Sequence, residues 1–220
     1  MVERIFRALI ALAAFGGLGI QLWILLESPD FASPLAAVWR FLAFFTILTN
    51  LMVAIVSAIS AIVPGSRSGR LLAGANTRAG VVLYIGLVGV IYHLLLAGLW
   101  DPQGWQKIAD QLLHTATPVM MAIAWVFFDA KKDLTLKALP QIIVYPVAYT
   151  VYAMIRGAAD GFYPYPFIDV AEHGYARVLM NVAGLTAAFL FAGGMLILIG
   201  KALSGFGVRT SPARSFTQKG

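Results

Sequence analysis

The sequence predicts an all-α polytopic membrane protein, a bundle of six transmembrane helices with both termini cytoplasmic. Three observations carry this expectation. Of the 220 residues 60% are hydrophobic and 12% charged, with a mean hydropathy of +0.82, more apolar surface than a water-soluble domain of this length can hide. The apolar residues fall into six runs, each near the ~20 residues that cross a bilayer as a helix. The 16 Lys and Arg residues are shared unequally between alternating connections. A closed barrel also satisfies its backbone in lipid, but these runs are too long and too evenly apolar for alternating strands.

The first span, residues 5–26, follows Arg4 and Arg7. Its basic flank suits a signal peptide, yet the run is long for one and reads as a retained span that also targets the chain. The others cover 38–62, 79–100, 108–128, 136–156 and 175–202, which makes 1–202 the transmembrane domain. Residues 203–220, which include "SGFGVRTSPARSFTQKG", are polar and predict a disordered cytoplasmic tail. One side collects Arg4, Arg7, Arg67, Arg70, Arg78, Lys131, Lys132, Lys137, Lys201, Arg209, Arg214 and Lys219, the other only Arg40, Lys107, Arg156 and Arg177. Glu27, Asp30, Asp101, Asp110, Asp160, Asp169 and Glu172 gather on that second side. The positive-inside rule therefore puts both ends in the cytoplasm. The net charge of +6 follows from topology and attraction to anionic lipid, and calls for no nucleic acid. The absence of cysteine excludes disulfides, a catalytic thiol and thiolate metal sites. No internal repeat supports an inverted-repeat transporter.

Depth sorts the polar residues. At about 1.5 Å per residue, Thr46, Thr49 and Asn50 of the second span lie roughly 12–18 Å below the outer boundary, His114 about 9 Å and His93 about 10 Å. Asn181 of the sixth span has a similar depth, with Gln21 of the first nearer the surface. Five spans thus bring polar side chains to the outer half, which implies a polar cavity open toward the outer face or leaflet. Each residue has a plainer role available. A membrane threonine commonly bonds its own backbone one turn back, and Asn50 can simply join helices. An intramembrane histidine is costly and marks function by default; the third histidine, His173, falls in the outer loop. In "LLHTATP" Pro118 has no amide for the carbonyl of His114, so the helix opens at the histidine, beside Thr115 and Thr117.

A hydroxyl beside an imidazole can serve as nucleophile and general base, with polar donors for the oxyanion. Serine is scarce at this depth, so threonine is the candidate nucleophile. Asn50, Asn181, His93 and the tyrosines of "YPVAYTVYAM" are candidate donors or orienting groups. No G-x-S-x-G elbow, H-E-x-x-H pair or phosphate loop is present, and no metal site is expected. The longest outer connection, 157–174, carries "GFYPYPFID", suited to an interfacial cap.

Three stretches, "WRFLAFFTILTN", "LLHTATP" and "YPYPFID", together resemble the androgen-induced protein family, which includes the androgen-dependent TFPI-regulating protein, and its bacterial six-span relatives. The resemblance implies a multipass threonine hydrolase of fatty acid esters of hydroxy fatty acids, with one intramembrane Thr and one His, in a bacterial inner membrane. The family's His-Thr phrase matches His114 and Thr115, and its Tyr-Pro-acid stretch matches Tyr165, Pro166, Phe167 and Asp169. An ungapped match sets Ala43 at the nucleophile position. A shift of about one helical turn sets Thr46 there, with Thr49 three positions on, and keeps the same helix face.

The expectation is an intramembrane lipid esterase with Thr46 as nucleophile, Thr49 second, and His114 as base. Thr49, Asn50, His93, Asn181 and Tyr165 are its orienting or oxyanion groups. Its partners are the bilayer and an acyl ester, and it needs no cofactor. The alternatives are a haem-bearing electron carrier with His93 and His114 as axial ligands, a channel or transporter, and an inactive lipid-binding relative.

Overall fold

The computed structural model describes residues 1–205. Six helical segments in it are long and apolar enough to cross a membrane, and among the described residues there is no strand. The protein is an all-α multipass membrane protein. The expected tail lies outside the described residues except for 203–205, which continue the last helix.

The first span is α1 (Val2–Glu27), which lies along α3 (Phe45–Ile62) for much of its length. The second span departs from the expected continuous helix over 38–62. A short helix α2 (Pro34–Phe41) stops, the chain extends at Phe44, and α3 begins afresh. Ser33 caps α2 through Ala36 N, with Pro34 pre-set for its first turn. Nothing local dictates the break. The fifth span does, because its side chains take the carbonyls the break releases. Tyr149 Oη donates to Ala43 O at 2.9 Å, Tyr152 Oη to Leu42 O at 3.1 Å, and Arg156 Nη2 to Trp39 O at 2.7 Å.

A small helix α4 (Arg67–Leu72) leads to the third span, α5 (Ala75–Ile91), which runs on into a π-helical turn, Tyr92–Leu96, and a 3₁₀ turn, Ala97–Leu99. The fourth span is α6 (Gly104–Gln111), a π-helical turn at Leu112–Ala116 and α7 (Thr117–Phe128). Each π turn contains one intramembrane histidine. The second has a visible cause: Thr117 N bonds Leu112 O, whereas Pro118 offers no amide to the next carbonyls. α8 (Leu139–Asp160) is the fifth span. The sixth, α9 (Val170–Gly205), is interrupted at Gly174, whose φ of 71° suits only glycine well.

Large apolar side chains such as Leu12, Phe127, Val144 and Phe191 face outward, as lipid contact requires. The basic end is not uniformly apolar inside. Arg7 Nη2 donates to Asp129 Oδ1, Arg78 Nε lies 3.7 Å from the same oxygen, and Arg78 Nη2 donates to Ser60 Oγ. Residues read above as topology signals thus also tie α1, α3, α5 and the end of α7 together. Lys131 Nζ donates to Val126 O and Asp129 O, closing α7; burial pulls its ammonium below the usual lysine value, against the Asp129 charge.

The His114 turn is held from behind by α5. A Cβ on Gly89 would stand 3.1 Å from Pro118 Cβ and 3.2 Å from His114 O. Neither a backbone carbonyl nor a proline ring yields readily. Gly89→Ala is therefore expected to cost about 1–2 kcal/mol by overpacking, read as a lower thermal midpoint in detergent; an unchanged midpoint would show that the two helices are not tightly seated there.

Candidate active site

At the end of the bundle opposite the N-terminus lies a cavity of about 490 Å³. Thr46 and His114 both line it, with Gln21, Arg40, Tyr92, Gln106 and Tyr165 among its other walls. A narrower cleft of about 60 Å³, lined mostly by apolar side chains of α3, α5, α8 and α9, adjoins it; Thr46, Tyr92, Leu96 and Tyr165 belong to both.

The helix break decides what Thr46 can do. In a continuous span its hydroxyl would bond the carbonyl of Leu42. Here that carbonyl accepts from Tyr152 instead, and Thr46 sits in the first turn of α3. No side chain caps this turn from Phe44, so its amides lack intrahelical partners. Thr46 N donates to Tyr165 Oη at 3.4 Å. Burial pushes the Tyr165 phenol up, so it is neutral at pH 7 and retains a proton to donate. A helix N-terminus and a phenol therefore converge beside the Thr46 hydroxyl, the sort of setting that stabilises developing negative charge.

His114 is oriented by its own helix. Its Nδ1 lies 3.0 Å from Asp110 Oδ1 and 3.2 Å from Asp110 O. Both are acceptors, so Nδ1 is the ring nitrogen that donates to Asp110, and Nε2 has no hydrogen-bond partner among the described residues. The Tyr92 ring stacks on the imidazole, 3.8 Å between centroids and 11° between planes. The Tyr92 hydroxyl reaches Asp110 and accepts from Trp100 Nε1 at 3.0 Å. Asp110, counted above among the outer-side acids, is instead 3% exposed and belongs to the site. Its signal was the i, i+4 spacing in "DQLLH", which places a carboxylate and an imidazole on one helix face.

The other expected residues separate. Asn50 is fully buried and clasps two carbonyls, Thr46 O at 2.9 Å and Leu113 O at 3.2 Å, so it holds α3 against the His114 turn. Leu113 O is free because a π-helical bond from it would need the missing amide of Pro118. Thr49 turns to α8, with Oγ1 3.0 Å from Tyr145 Oη, and does not line the cavity. His93 is exposed on the surface of the bundle, its Nε2 3.0 Å from Thr115 Oγ1, and does not line the cavity. Asn181 Nδ2 donates to Phe167 O at 2.8 Å, tethering the outer loop, and lines a separate open recess with His173 and Arg177. No hydrogen bond joins Thr46 to His114, a looseness common before substrate binds.

Comparisons of the chain with protein families, with curated proteins and with solved structures return no match.

Proposed function

We propose that this protein is an intramembrane lipid ester hydrolase in which Thr46 is the nucleophile, His114 the general base and Asp110 the group that orients the base and stabilises its imidazolium. One observation carries the reading: Thr46, in the first turn of α3, and His114, whose Nδ1 is held by Asp110, line the same cavity. Nothing in a merely structural account requires a Thr, a His and a buried Asp together in the membrane half of a bundle.

In the proposed reaction Thr46 Oγ bonds to the ester carbonyl carbon as its proton passes to His114 Nε2. The carbonyl oxygen becomes an oxyanion beside the first-turn amides of α3 and the Tyr165 hydroxyl. The C–O bond to the alcohol then breaks and His114 returns the proton to that oxygen. Water, deprotonated by the same imidazole, cleaves the acyl-threonine, and the proton goes back to Thr46 Oγ. The Gln21–Gln106 pair, 2.7 Å apart at the cavity wall, gives water a polar approach. The apolar cleft beyond Thr46, about 60 Å³, suits the first methylenes of an acyl chain, with the rest of the chain left in lipid. Fatty acid esters of hydroxy fatty acids, the class implied by the resemblance, fit these requirements, as do other long-chain acyl esters. By the charge asymmetry the cavity faces the outer leaflet, and the resemblance implies that the membrane is a bacterial inner one. The placement of His93 on the surface of the bundle, away from the cavity, lends no support to a bis-histidine haem.

The test is covalent labelling of the purified full chain with a fluorophosphonate, the adduct located by mass spectrometry. An adduct on Thr46 that is lost in a monodisperse His114→Ala variant is expected. A folded wild-type protein that takes no adduct there would remove the proposed nucleophile and leave a lipid-binding protein.

A further inference from the structure

Arg40 differs from its neighbour on the fifth span, Arg156, in what holds its guanidinium. Arg156 is spent inside the protein: it donates to Tyr152 Oη at 2.8 Å and Trp39 O at 2.7 Å, lies 3.7 Å from Asp160, and covers the Trp39 ring. Arg40 has no such partner among the described residues. Its guanidinium carbon lies 3.4 Å from the centroid of the Phe162 ring and 5.9 Å from that of Phe31. The nearby carboxylate, Asp160, is already bonded by Trp39 Nε1 at 2.7 Å and Phe162 N at 3.0 Å. Aromatic faces hold a guanidinium in place while leaving its edge of five N–H donors unused. Arg40 is part of the wall of the cavity that Thr46 and His114 line.

A fixed, half-buried, donor-rich cation at the wall of a mainly apolar cavity is a receptor for a planar or tetrahedral oxyanion, which a guanidinium grips through two parallel hydrogen bonds. We infer that Arg40 is the anion anchor of this cavity, and that the amphiphile it takes carries a carboxylate or a phosphate at its head. The inference rests on the proposed hydrolase only for what happens next: with a chain in the apolar cleft and the anion on Arg40, an ester between them is drawn toward Thr46. It makes Arg40 a specificity-determining residue and names the substrate class as anionic acyl esters.

The test separates binding from turnover. Palmitate, hexadecyl phosphate and hexadecanol are titrated into the purified full chain in a neutral detergent, with binding read by intrinsic tryptophan fluorescence, to which the cavity residue Trp100 contributes. At least one of the two anions is expected to bind about 10-fold or more tighter than the alcohol, as a charge-assisted contact allows. Arg40→Gln should erase that preference, and Arg40→Lys should keep part of it. The anion with the larger gain identifies carboxylate or phosphate as the head. Equal binding of all three ligands to the wild type, or a preference that survives Arg40→Gln, overturns the assignment. A preference without any ester turnover would retain the anchor and sink the hydrolase; turnover without preference would do the reverse.

Discussion

Thr46→Ala is expected to lower kcat/KM for a long-chain 4-nitrophenyl ester by about 10⁴-fold or more, roughly 5.4 kcal/mol of barrier, while Thr49→Ala stays within about 10-fold of wild type. The two threonines are less than one helical turn apart, and only the structure distinguishes them. Thr49 is fully buried against Tyr145, so its loss leaves a phenol short of a partner and costs about 1 kcal/mol of stability. Thr46 holds little of the fold together through its hydroxyl, and truncating it leaves the Thr46 N–H to Tyr165 bond in place. Its substitution should therefore separate activity from stability: a deep loss of rate with a thermal midpoint near that of wild type. Thr46→Ser, which keeps the hydroxyl and gives up the methyl that restrains χ1, should retain measurable turnover. The opposite pattern, with Thr49→Ala dead and Thr46→Ala active, would move the nucleophile to the α8 side of α3 and disconnect it from His114.

Why Thr46 and not Thr49 is a question about backbone that composition does not answer. The six spans are legible because lipid leaves few solutions for a chain this apolar, and a run of apolar residues near the span length is itself the signal. The break between α2 and α3 carries no such mark. "FLAFF" contains neither Gly nor Pro, and its local preference is for the continuous helix that the sequence predicts. What outweighs that preference sits about 110 residues away, in Tyr149, Tyr152 and Arg156, whose donors meet the freed carbonyls of the second span. The π turn at His114 is different, since Pro118 announces it. Depth correctly gathers Thr46, Asn50 and His114 into one region, but depth is blind to rotation about the helix axis. His93 and His114 share a depth and point to different surroundings, one to the bundle surface and Thr115, the other to the cavity. Asp110 was hidden by bookkeeping of a topological kind: an acid near the end of a span reads as an outer charge until its i+4 neighbour is considered as a partner.

That partnership gives the second large effect. Asp110→Asn is expected to slow ester turnover by about 10³- to 10⁴-fold, the upper figure being about what the same change costs behind the imidazole of a serine-protease triad, with the protein still folded. Asparagine has nearly the same shape and its oxygen can still accept from Nδ1, so packing against Tyr92 survives. What is lost is the negative charge that stabilises the imidazolium once His114 has taken the threonine proton, and the certainty that Nδ1 rather than Nε2 carries the hydrogen, because an amide can also turn its NH₂ toward the ring. Both losses act on each half of the cycle, since His114 accepts one proton to form the acyl-threonine and another to release it. The rate of fluorophosphonate adduct formation on Thr46 and the steady-state rate should therefore fall together. Tyr92→Phe, which takes a hydroxyl from Asp110 and the acceptor from Trp100 Nε1 but leaves the ring stacked on His114, should cost less than 10-fold by comparison. An Asp110→Asn protein that labels and turns over at the wild-type rate would reduce the carboxylate to a structural tie within the fourth span. A loss confined to the thermal midpoint would say the same, because an acid that only anchors a π turn changes how firmly His114 is held and not how readily it accepts a proton.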